Sequence, residues 1–243
     1  MENNSLLFKS EVNITDNIIL KIPTVEEVLD KEGSYFSLVS FLTSSPFQYM
    51  VQLDDLGLDY SKVKPYEMFL IFAPVYMNSD TSILFKDLQT DDFDVYQDET
   101  NGTHILYSPK LDIKIDELGY VNISNMIRKI NILEKDKRKA VNENAKEYLL
   151  DKERKRLKRL EHKQNKQTYN SEFEKLIVAL VNQKDFKYNY EEIKKISIYQ
   201  FYRSFKQIQT TLTFNNTMRG VYAGTVDTSK LKDKSCLSWI PQK

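Results

Sequence analysis

The sequence holds one cysteine, Cys236, one tryptophan, Trp239, two histidines, six glycines and six prolines in 243 residues. A single cysteine excludes an intrachain disulfide and a cysteine metal cluster, and points to a reducing compartment. His104 and His162 have no nucleophile or ligand set beside them in sequence, so neither a triad nor a zinc site is expected. The few glycines form no G-x-x-x-x-G-K-S/T and no G-x-G-x-x-G, which excludes the usual phosphate-cradling loops. No apolar run nears the roughly 18 residues of a membrane helix, and the first 30 residues lack a basic stretch leading into an apolar one. The expectation is a soluble, cytoplasmic, non-enzymatic protein with no cofactor, no metal and no membrane contact.

The content that is present supports a folded chain. Hydrophobic residues make up 41% and aromatics 12%, enough for a real core at this length. The formal net charge is zero, but the charge is partitioned. Residues 1–133 carry 21 acids against 10 bases, 134–166 carry 7 against 13, and 167–243 carry 7 against 12. Such a partition suits self-association, docking within the chain, or a basic surface for an acidic partner.

Hydrophobic period and punctuation predict a mainly helical α+β fold in three parts. The first, 1–133, is an acidic domain of helices with a few antiparallel strands. SLLFKSEVNIT and NIILKI read as a strand pair, and Thr24 with Glu27 has capping-box spacing for a short helix ending at Gly33. Further helices open near Tyr35, Pro46 and Pro65. FDVYQDET and THILYS flank Asn101-Gly102, the dipeptide of tight hairpins, and LDIKIDE alternates as a third strand. The second part, 134–168, belongs to one long charged helix starting near Val121, a stretch free of Gly and Pro; a bend near Glu134–Lys139 stays open. The third part, 169–243, is a small helical domain after a break at Thr168–Ser171. Ser171 and Glu174 have capping-box spacing, a second helix begins near Asn189 or Ser197, and FNNTMRGVYAG reads as a last short helix ending at Gly224. A tail containing Trp239 docks back on the body.

Several clusters invite a functional reading. Asp91, Asp92, Asp94, Asp98 and Glu99 are oxygen ligands in type, but they lack the glycine turn and final glutamate of a calcium loop and read as a solvated hairpin edge. Asp54-Asp55 are adjacent on a helix, about 100° apart, so they are not expected to face one site. The basic stretch Lys152–Lys166 is a candidate phosphate grip, with Tyr188, Tyr190, Tyr199 and Tyr202 as candidate base-stacking residues. Interleaved acids such as Asp151 and Glu153 weigh instead for a solvated or subunit-contacting helix. The residues singled out for partner contact are Arg154, Lys155, Lys158, Arg159, Tyr199, Tyr202 and Trp239.

Two stretches together carry a resemblance. KAVNENAKEYLLDKERKR, Lys139–Arg156, leads into the charged helix, and LIVALVNQKDFKYNYEEIKKISIYQFYRSFKQIQ, Leu176–Gln209, is followed by VYAGTVDTSKLKDKSCLSWI, Val221–Ile240. The layout resembles structural-module proteins of tailed bacteriophages of low-GC Gram-positive hosts, in particular tail assembly chaperones and their neighbours. The resemblance implies a non-enzymatic, self-associating protein. It would coat the tape measure protein, or help tail-tube subunits polymerise, in the cytoplasm of the host bacterium. A nucleic-acid-binding module and a minor virion component are the competing readings.

Overall fold

The computed structural model describes residues 5–98, 102–164 and 171–241, with the side chains of 163 and 164 excepted. Glu99, Asn101, Lys166, the Lys163 side chain and the Thr168–Asn170 part of the expected break lie outside those residues. The fold is mainly helical α+β, as the sequence pattern predicts.

Strands β1 (Glu11–Thr15) and β2 (Ile18–Lys21) form an antiparallel ribbon, with Val12 opposite Leu20. Residues Ser5–Lys9 do not join it, contrary to the expected longer strand, whereas Ser10 O still accepts the Ile22 amide at 2.7 Å. A strand would place Leu6 and Phe8 on one face, whereas Leu6 is buried and Phe8 stands in solvent. Helix α1 (Val25–Asp30) starts at Thr24, whose hydroxyl accepts the Glu27 amide while Glu27 returns a carboxylate to the Thr24 amide. Gly33 does not end this helix. It lies in the first turn of α2 (Glu32–Thr43), after a one-residue junction at Lys31. Helices α3 (Met50–Asp55) and α4 (Pro65–Met77) follow, α4 opening on a proline where a missing amide costs nothing.

Strands β3 (Asp94–Gln97), β4 (His104–Ser108) and β5 (Ile113–Ile115) make an antiparallel sheet in that order. The β3–β4 connection runs from Asp98 to Thr103 and is longer than the two-residue turn that Asn101-Gly102 suggested; Gly102 still takes the positive φ of 69°. Helix α5 (Glu117–Asn131) is capped by Asp116 and buries Tyr120, Ile123, Ile127 and Ile130 along one stripe.

The expected continuous helix is in fact two. Helix α5 stops at Ile132, whose φ of 54° is unusual for a β-branched residue, and α6 (Glu143–Gln164) starts only after an irregular connector. Propensity would have carried a helix through, so tertiary contacts make the break. Asn131 accepts the Tyr35 hydroxyl at 2.7 Å in the core and donates to Ile127 O. Beyond it, Asp136 accepts from Ser45 and Arg138, and Arg138 lies 4.7 Å over the Phe47 ring. The charge-dense connector is thus pinned to the α2–α3 corner.

Helices α7 (Glu172–Val181), α8 (Tyr190–Ile193) and α9 (Ile198–Tyr222) complete the chain, with two 3₁₀ turns at Thr228–Lys230 and Ser235–Leu237. Asn189 and Ser197 both cap helices. FNNTMRGVYAG is not a separate helix but the end of the 25-residue α9, whose interior has no proline to stop it. One hydrophobic core runs from Leu6 to Ile208: α2 and α5 meet Phe173, Ile177, Ile198 and Phe201 in it. Residues on both sides of the expected boundaries at 133 and 169 therefore share one interior. A smaller cluster, Met50, Val51, Leu53, Tyr60 and Met68, is covered by Leu149, Leu150 and Leu157 of α6. Among the described residues no helix is long and apolar enough to cross a membrane.

Candidate protein-contact surface

Helix α6 is where the basic charge concentrates, and most of that charge is answered within the chain. Asn142 caps it, its Oδ1 accepting the Ala145 amide. Arg154 donates to Asp54 at 2.6 Å and to Asp55 at 2.5 Å. The two aspartates, which helix geometry was expected to separate, converge on one guanidinium because they lie in the last turn of α3 beside the docked α6. Lys146 pairs with Asp59 at 2.5 Å, Lys155 with Asp151, and Arg156 with Glu153. The Lys146 ammonium, and then Ser61, hold the Asp59 carboxyl well below the usual carboxylate range. Lys158 and Arg159 are exposed and have no ion pair among the described residues. The acidic and basic segments meet inside the chain.

The second candidate region is α9. Its Ser197 cap and the Gln200 side chain satisfy each other's first-turn amides. Ile198, Phe201 and Ile208 are buried, with Phe173 edge-on to Phe201 at 5.3 Å. After Ile208 no α9 residue is buried, and Leu212 and Tyr222 are exposed. A 25-residue helix is about 37 Å long, so its second half reaches beyond the core.

A glycine turn sends the chain back. Gly224, at φ 69°, ends α9, and the Thr225 and Val226 amides donate to Gly220 O, the reversal that a left-handed residue permits. Gly220 itself must lack a side chain, since a Cβ there would lie 2.6 Å from Val226 Cγ2. The tail then runs along α9, and Gln207 donates to Trp239 O at 2.8 Å. The tail docks through its backbone, whereas the Trp239 side chain stays 57% exposed.

Next to the buried half of α9, Leu7, Phe8, Phe186, Tyr188, Arg203 and Pro241 line an open groove. Gln200 fixes one wall by donating to Leu7 O at 2.8 Å, and Phe186 meets Tyr188 edge-on at 5.5 Å. Phe8 is 90% exposed. Arg203 and Lys187 have no ion pair among the described residues and Asp185 lines the same groove, so it combines exposed aromatic surface with charges of both signs. Such a combination suits the apolar face of a protein partner better than a small polar substrate.

The structure sorts the expected contact residues. Trp239 lies beside the groove through Gln207 and Pro241. Tyr199 and Tyr202 pack half-buried against the core instead, and burial pushes the Tyr202 hydroxyl up to about 12. Arg154 is held by α3, Lys155 pairs within its own helix, and Lys158 and Arg159 stand at the far end of α6. The α6 and α9 residues do not line a common groove among those described. Leu7, Phe8, Phe186 and Pro241 were not anticipated; a strand would have placed Phe8 on the same face as the buried Leu6. The aspartates of the β3 hairpin are engaged by protein donors: Asp91 by Lys110, and Asp92 by Ser108, Thr90 and the Lys110 amide.

Residues 163–242 match the family model described as the YomV second domain. YomV is a Bacillus phage-type protein, so the match points to a phage-related protein. The YomV-like segment contains α7 to α9, the glycine turn and the Trp239 tail; Leu7 and Phe8 come to the groove from outside it. Neither comparison with curated proteins nor comparison with solved structures gives a match.

Proposed function

We propose that this phage-related protein is a non-enzymatic tail assembly factor of the chaperone type. It binds exposed apolar helices of a tape measure or tail-tube protein through the α9 groove and the Trp239 edge, before those helices are buried in the growing tail. The observation that carries the reading is Phe8, a large aromatic 90% exposed at the rim of a groove rich in other aromatics, within reach of the YomV-like segment. An aromatic anchor on a rigid, helix-backed groove is the kind of feature that dominates protein contacts. The nucleic-acid reading has less support, because Arg154, Lys155, Arg156 and Lys146 already face carboxylates. The proposed location is the host cytoplasm, with self-association through the same exposed apolar surface.

The test uses Trp239 as its own reporter. Helical segments of the tape measure protein from the same phage are titrated into the purified chain while Trp239 emission is followed. Saturable, blue-shifted emission that weakens at least about tenfold in Phe8→Ser supports the proposal. Equal binding by wild type and variant, or retention of DNA at roughly 50 mM salt in preference to the peptides, would overturn it.

A further inference from the structure

The second half of α9 has little of its own to keep it helical. Beyond Ile208 it runs for about 21 Å to Tyr222 with no residue in the core. Every position from 210 to 217 except Leu212 and Phe214 is Thr or Asn, both poor helix formers. The Thr210 hydroxyl donates back to Lys206 O at 2.9 Å, a bond that competes with the helix ladder. No α9 side chain forms an ion pair among the described residues. Between Lys206 and Asp227 the one charged residue is Arg219, in a chain that is 29% charged. A polar helix without such pairs is not stable in water by itself, so packing from outside must hold this one.

The returning tail supplies part of that packing. Val226 lies against Gly220, Gln207 donates to Trp239 O, and Phe214, Met218 and Val221 are half-buried. Elsewhere the tail stands off. An open hollow of about 500 Å³ lies between Gln209, Leu212 and Thr213 on α9 and Ser235, Cys236 and Pro241 of the tail. A stripe is left bare: Gln209, Leu212, Asn216, Arg219 and Ala223 are all exposed. They are spaced by three and four, as where one helix meets another.

The chemistry of the stripe selects its cover. The amides of Gln209 and Asn216 are donors and acceptors at once, and they make no side-chain hydrogen bond among the described residues. An apolar helix would bury them unsatisfied, and a strongly charged one would meet a single cation. A second copy of the same stripe offers the matching set. Parallel packing would set Arg219 against Arg219. Antiparallel packing centred level with Phe214 sets it against Gln209 of the other copy, whose amide oxygen accepts, and keeps the two guanidinium groups about 15 Å apart.

We propose that two copies of this chain associate through the bare stripe of α9, with the helices antiparallel and Leu212 of each at the centre. The contact is isologous, each Arg219 donating to Gln209 of the other copy. It lies outside the groove and adds to the apolar contact made there. A stripe this short is smaller than a permanent interface, so the dimer is reversible and micromolar.

Sedimentation of the full chain from about 1 to 200 µM should show a monomer–dimer equilibrium. Gln209→Lys sets a cation against Arg219 and should weaken the dimer at least about tenfold, with the circular dichroism unchanged. Gln209→Lys combined with Arg219→Glu should restore it. The two positions are about 15 Å apart within one helix, so only a contact between copies can bring the new charges together. Phe8→Ser, which alters the groove alone, should leave the dimer in place. A chain that stays monomeric across the range overturns the proposal. So do equal affinities for wild type and Gln209→Lys, a double variant no tighter than the single one, or a dimer lost in Phe8→Ser.

Discussion

Thr24 and Ser197 pair with each other across 173 positions of sequence while each caps a helix of its own. Val25 N donates to Ile196 O at 3.0 Å and Ile198 N to Pro23 O at 2.8 Å, so the starts of α1 and α9 are bound into one short antiparallel bridge. The YomV-like segment is thereby fastened to the N-terminal part by backbone, not only by side-chain packing.

Loss of that junction should be felt by the whole fold. Ser197→Ala removes the acceptor for the Gln200 amide and should cost about 1 kcal/mol. Because Ile198 and Phe201 lie in the same core as α2 and α5, urea unfolding of the variant should remain a single transition, followed by both tyrosine and Trp239 signals. Two separated transitions would show that the C-terminal part unfolds independently.

Tyr35→Phe tests the latch at the end of α5. The substitution leaves Asn131 Oδ1 buried without its donor, and an unsatisfied buried acceptor costs about 1–3 kcal/mol. The expected readout is a lower urea midpoint at an unchanged slope. An unchanged midpoint would remove this hydrogen bond as the cause of the helix break.

Asp54→Asn with Asp55→Asn frees Arg154 from α3. Since these pairs are partly exposed, global stability should change little. Local opening should change more: amide exchange across 143–162 should quicken, and added salt should have the same effect on the wild type. Unchanged exchange in the variant would show that Leu149, Leu150 and Leu157 hold α6 without the ion pairs.

Acid should release the same region over a defined range. Hydrogen bonds from Arg138 hold the Asp136 carboxyl at about 2, and the Lys146 ammonium holds Asp59 lower still. Both are depressed relative to about 3.9 in an unfolded chain, so their stabilisation is fully present above that value and is lost as pH falls through the folded ones. Protection of α6 against exchange, after correction for intrinsic rates, should be flat from about pH 7 to 5 and should fall below about pH 4. Loss already at pH 5 would assign the docking to other groups.

The α5 stripe, the Thr24 box and the helix opening at Pro65 were legible, because each rests on contacts within about four residues; the one helix start expected near Asn189 or Ser197 is two starts, one at each. The break at Ile132 was not. It depends on Tyr35, Ser45 and Phe47, about 90 positions upstream, and local propensity across Glu134–Lys139 argued for a helix. Charge counting identified Arg154 as a contact residue, but only the fold shows that its contact is Asp54 and Asp55 of the same chain. The groove was half legible. Trp239 and the tyrosines drew attention by type, whereas Phe8 was hidden in an apolar run; Tyr199 and Tyr202 lie half-buried against the core.

The reversal at Gly224 has a practical corollary for anyone handling this molecule. By returning the tail along α9, it delivers Pro241 to the same groove that Leu7 and Phe8 line. A substitution at Gly224 that straightened the turn would therefore withdraw Pro241 from the groove without touching any other residue that lines it.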